Sequence, residues 1–114
     1  MPSEERYIKF SFDEVHEAIT HYANQTKEIS PPKGPIRGMR LNPQDGKKTI
    51  LCDIQTTDGR HDSDVIEYKP LAMALINICK EYKIPLPRQA TKVLSFAENQ
   101  LIMKIDYETK SRLD

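Results

Sequence analysis

Proline sets the segmentation of this chain before any other residue does. Of eight prolines in 114 residues, Pro31, Pro32 and Pro35 cluster together, Pro70 stands alone, and Pro85 and Pro87 form a third group. A proline has no backbone N–H and fixes φ, so it interrupts helix interiors and central strands. Regular structure must therefore fit between the clusters. The spaces are those of one small domain, and neither half holds enough chain for a core of its own.

The first segment opens with a short extended stretch, Arg6 to Phe10, followed by a complete helix-start signal. Ser11 is an N-cap and Glu14, three residues on, completes a capping box. Phe10 before the cap and Val15 after it form a hydrophobic staple. Phe12, Val15, Ile19, Tyr22 and Ala23 recur at three- and four-residue steps, which predicts an amphipathic helix over 12–24. Gln25 to Pro35 is read as a surface loop. Three extended segments follow, Ile36 to Leu41, Thr49 to Gln55 and Val65 to Tyr68, with the turn-forming pairs Asp45-Gly46 and Asp58-Gly59 between them.

Pro70 suits the first turn of a second helix. Leu71, Leu75, Ile78 and Tyr82 form its stripe, widened by Ala72 and Cys79, and Pro85 stops it. Ile84-Pro85-Leu86-Pro87-Arg88 reads as an extended corner. The chain then closes with a hairpin, Lys92 to Phe96 and Leu101 to Tyr107, in which Leu101, Met103, Ile105 and Tyr107 alternate with Ile102, Lys104 and Asp106. No internal repeat is visible. The expected fold is α+β, in the order β-α-β-β-β-α-β-β. An antiparallel sheet of five to six strands carries both helices on one face. Residues 6–108 form the domain, with 1–5 and 109–114 as flexible ends.

Composition narrows the function classes. Seventeen basic and seventeen acidic residues cancel, so no global charge draws the protein to nucleic acid or membrane. The longest apolar run, Leu71 to Cys79, is too short to cross a bilayer. The first residues lack the basic and apolar regions of a signal peptide. Cys52 and Cys79 lie in separate apolar segments and read as buried free thiols in a reducing, cytoplasmic setting.

No motif commits the chain to catalysis. His16 and His21 are five residues apart on one helix and diverge by about 140°, too far to share a metal. His61, Asp62 and Asp64 are the densest set of potential ligands but match no metal-loop spacing. Four glycines fit no phosphate-binding loop. An enzyme would have to use His61 with Asp62 and Asp64, or His16 in a cleft. No cofactor or metal is called for.

Binding is better supported. Lys33, Arg37 and Arg40 lie in or after the proline loop. Lys80, Lys83, Arg88 and Lys92 surround the end of the second helix. The partner surface is expected at Arg37, Arg40, Lys83, Arg88 and Lys92, for a protein partner or, as the alternative, RNA or DNA phosphates. Met73 and Ile76 fall off the helix stripe and leave apolar surface for a second copy, most simply a homodimer. The stretch Ala72 to Leu94, an apolar helix ending in Cys-x4-Ile-Pro-Leu-Pro-Arg and then Ala90-x-Lys92-x-Leu94, resembles segments of small uncharacterised bacterial α+β proteins. The resemblance covers a fifth of the chain. It implies a bacterial origin and no activity.

Overall fold

The computed structural model describes residues 3–46, 48–87 and 89–108. It is an α+β fold with β1 Ser3–Ser11, α1 Phe12–Ala23, β2 Ile36–Leu41, β3 Thr49–Gln55, β4 His61–Glu67, α2 Tyr68–Glu81, β5 Thr91–Phe96 and β6 Gln100–Glu108. Order and type agree with expectation. The single sheet does not: the strands form two three-stranded antiparallel sheets, β1-β6-β5 and β2-β3-β4.

Both helices grow directly out of a strand. At α1 the capping box is complete, since Glu14 N–H donates to Ser11 Oγ (3.1 Å) and Ser11 N–H to Glu14 Oε1 (2.9 Å). The N-cap of α2, Glu67, makes no side-chain capping bond. That helix depends more on its buried face, Leu71, Ala74, Leu75, Ile78 and Cys79. It ends in a Schellman motif: Lys83 N–H donates to Lys80 O (3.1 Å) and Ile84 N–H to Cys79 O (2.8 Å). Lys83 takes the left-handed conformation (φ 58°) that glycine usually supplies there. The last helical residue, Glu81, thus lies four residues before Pro85.

The element order conceals a duplication. β1-α1-β2-β3 and β4-α2-β5-β6 are the same β-α-β-β unit, and each unit's first strand pairs with the other unit's last. The registers coincide as well. Phe10 faces Leu101 as Ile66 faces Ile50, and Leu94 faces Met103 as Met39 faces Cys52. Aligning Phe12 with Tyr68 carries Val15, Ala18, Ile19, Tyr22 and Ala23 onto Leu71, Ala74, Leu75, Ile78 and Cys79. On the central strands, Ile50, Cys52 and Ile54 match Leu101, Met103 and Ile105. All six are 0–1% exposed. One continuous core results, to which both units contribute. The units share burial pattern and register but few residue identities, which is why no repeat shows in the sequence.

The edges β2 and β5 approach one another without pairing. The hydroxyl of Tyr68 accepts the Leu94 N–H at 2.8 Å, so a side chain takes a bond that a neighbouring strand would supply. The boundaries also shift. β1 begins at Ser3, so 3–5 are paired with 106–108 and are not a flexible end. β4 begins at His61, earlier than expected, and Tyr68 belongs to α2. Residues 109–114 lie outside the described residues.

The proline loop is no free surface. Ile29 and Pro32 are buried, and residues 28–33 run beside Asp64–Glu67 of β4. Gln55 N–H donates to Pro35 O (3.0 Å), closing the loop onto β3. A Cβ on Gly34 would sit 2.1 Å from the Gln55 carbonyl oxygen, far inside contact distance. Gly34→Ala must therefore push the loop off the strand. The expected cost is about 1–3 kcal/mol, read as a lower denaturation midpoint. An unchanged midpoint would mean the loop is not held there.

Candidate interaction surfaces

Among the described residues, the basic side chains singled out by sequence have separate surroundings. Arg37 lies where the β2 register shifts, and its Nε and Nη2 both donate to Gln55 Oε1 (3.0 and 2.7 Å). Lys92 is opposite Ile105, on the core side of β5, where the other sheet has Ile36 opposite Ile54. It is half-buried, and its Nζ donates to Pro87 O and Ala90 O, both at 3.3 Å. Arg40 is opposite Leu51, between the buried Ile50 and Cys52, and so on the outward side of its strand. Arg40 and Lys92 thus take opposite sides of their strands. Lys83 is exposed at the helix end, and Arg88 lies outside the described residues. Among the described residues the corner is held by Lys92 and by Arg6 Nη1, which donates to Pro85 O (2.9 Å). Of the expected partner residues, Arg40 and Lys83 have no hydrogen bond or ion pair from their side chains among the described residues.

Tyr82, expected in the core, is 48% exposed. It is the C-cap of α2, and its hydroxyl donates to Glu17 Oε1 on α1 (3.0 Å). The stripe ends at Ile78 because the helix itself ends at Glu81, before Tyr82 can complete another turn.

The candidate chemical groups are spread apart. His16 Nδ1 lies 3.4 Å from Thr20 Oγ1, and His21 Nε2 lies 3.6 Å from Glu81 Oε1. His61, Asp62 and Asp64 are in strand β4, not in a loop, so alternation sends His61 to one face and the two aspartates to the other. Among the described residues no three His, Cys, Asp or Glu side chains converge to hold a metal ion. Both cysteines are free and buried.

The exposed apolar residue on α2 is Met73, at 43%. Ile76 is half-buried and packs against the core, so only part of it is available. The duplicated unit provides an internal comparison. Where α1 carries His16, Glu17 and Thr20, α2 carries Ala72, Met73 and Ile76. The two helices bury equivalent faces, and only α2 leaves apolar side chains on the outward side.

The outward side of the second sheet carries another surface that sequence did not show. Val65, Leu51 and Arg40 form one row across β4, β3 and β2. The β2–β3 connection, with a short 3-10 turn at Pro43–Asp45, rises beside that row and makes it a cleft. In the sequence the connection shows only as the turn-forming pair Asp45-Gly46. It is ordered by Asn42, whose Oδ1 accepts Gln44 N–H (3.1 Å) and whose Nδ2 donates to Thr49 Oγ1 (3.1 Å). Asp45 accepts from Lys48 N–H (3.1 Å) and from the Thr49 hydroxyl. The Thr49 bond, first among these causes, holds the Asp45 carboxyl below its ordinary pKa. Gly46 supplies the left-handed turn (φ 70°).

Burial pushes the Cys52 thiol up to about 12, with Asp64 and then Asp53 adding repulsion against a thiolate. Burial likewise raises Cys79, against a small opposing effect of Arg6. A raised thiol pKa stabilises the fold fully below the unfolded value, near 9, and that contribution is lost as pH climbs from there towards 12. Native protein at pH 8 is therefore expected to leave a thiol reagent unreacted, with both cysteines labelling in denaturant. Prompt labelling of either in the native state would contradict their burial. No protein-family model matches the chain, and no curated protein or solved structure does.

Proposed function

We propose that the protein is a small non-catalytic interaction module that self-associates through the outward face of α2. The observation that carries this reading is Met73, 43% exposed at the position where the equivalent helix has Glu17. A sequence that has a polar solution for this position in α1 and an apolar one in α2 has a use for the apolar one. Lys69, Met73, Ile76 and Lys80 are spaced by three and four residues and share one side of the helix. A two-fold antiparallel contact sets Met73 against Ile76 of the second copy, with lysines at both ends. No helix of the described residues is long and apolar enough to cross a membrane. Two free buried thiols suit a reducing compartment and support a cytoplasmic setting for this activity.

Size-exclusion chromatography with light scattering tests the reading. A dimer is expected that tightens as salt rises, because salt screens the facing lysines. Met73→Glu, which copies α1, is expected to give a folded monomer. A wild-type monomer across the micromolar range, or a dimer indifferent to Met73→Glu, would refute it.

A further inference from the structure

The cleft on the outward side of the second sheet differs from everything around it in three respects. Its floor is aliphatic: Leu51 is half-buried and Val65 is 62% exposed. Among the described residues its rim carries one cation, Arg40, which neither donates a hydrogen bond nor meets a carboxylate at ion-pair distance. Pro43 and Gln44 of its wall line the cleft, while Asp45 of the same turn is engaged by Thr49 and Lys48, and Asn42 braces the turn through Thr49.

The other sheet again serves as a control. The row equivalent to Val65–Leu51–Arg40 is Lys9–Ile102–Ser95. A lysine replaces the exposed valine, and a serine replaces the arginine. The β5–β6 turn, Ala97 to Asn99, has only three residues, too short for a comparable wall. Sheet formation therefore requires neither the apolar edge residue, nor the guanidinium, nor the wall. All three occur together on one sheet and not on its twin.

We infer that this cleft binds the C-terminal end of a peptide whose last residue is aliphatic. A guanidinium presents parallel N–H donors in a planar fork that matches a carboxylate. An aliphatic side chain beside that carboxylate covers Leu51 and Val65 and removes them from water. The cleft is open along the strands, so the rest of the peptide runs out into solvent. An enclosed tunnel, the form that suits a long free fatty acid, is not what these residues build. The residues are separate from α2, so the inference does not depend on self-association.

The test uses the full chain labelled with 15N and titrated with three probes. The first is a short peptide ending in Leu with a free carboxylate, the second is the same peptide amidated at its C-terminus, and the third is octanoate. The free-acid peptide is expected to shift amide signals around Arg40, Leu51 and Val65. The amide is expected to bind at least about tenfold more weakly, corresponding to about 1.4 kcal/mol. Arg40→Gln is expected to reduce free-acid binding to the level of the amide. Val65→Lys, which copies the other sheet, is expected to weaken both peptides; both substitutions are on the surface and leave the core untouched. Equal binding of acid and amide, shifts elsewhere on the protein, or none at millimolar peptide would overturn the inference. Octanoate binding as tightly as the peptide would also overturn it, by assigning the cleft to free aliphatic acids. Because the readout is chemical shift and not oligomeric state, these outcomes hold whether the protein is a monomer or a dimer.

Discussion

The pairings of β1 with β6 and of β4 with β3 are the contacts on which the rest of this fold depends. Each unit of the chain keeps its hairpin and helix but gives its first strand to the other unit's sheet. A β-α-β-β unit alone would have a two-stranded hairpin and one helix, too little to bury an apolar face. Exchange converts each hairpin into a three-stranded sheet. It also carries Phe10 and Ile66, the last core residues of the donated strands, to Leu101 and Ile50 in the receiving sheets. The helices begin at the next residues but one, so a donated strand fixes where its helix starts and which face it turns to the core.

Much of this was legible locally and little of it globally. The capping box at Ser11 and Glu14, the helical stripes and the alternation of β6 each depend on residues close in sequence, and each has the expected structure except at Tyr82, beyond the end of α2. The division into two sheets depends on which strands meet, which no local pattern specifies. Tyr68 makes the point: its hydroxyl bonds to Leu94 on the β5 edge, 26 positions away. Cores need volume and polarity more than particular residues, so Val15 and Leu71, or Cys52 and Met103, perform one role with different side chains. The duplication became visible only through register and burial.

The proposed interaction residues follow the same division. Sequence spacing found Met73, because a residue off a helical stripe is a local fact. It left open whether the basic residues converge, because that depends on strand alternation and on distant neutral partners: among the described residues Gln55 engages Arg37, and backbone carbonyls engage Lys92. The Arg40 cleft was beyond its reach, since three strands and a connecting turn must assemble before Leu51, Val65 and Arg40 are neighbours. The two units then act as mutual controls. Positions where they agree serve the fold, and positions where they diverge without structural need, Met73 against Glu17 and Val65 against Lys9, are where a binding role is best sought.

Native-state hydrogen exchange tests the central claim most directly, that the exchanged strands make the two units one cooperative structure. Amides in the central strands β3 and β6 are expected to exchange with the same opening free energy, equal to that of global unfolding, and to fall together as denaturant is added. If β3 and its neighbours opened at a distinctly lower free energy while β6 stayed protected, the sheets would be independent units and the account would be wrong.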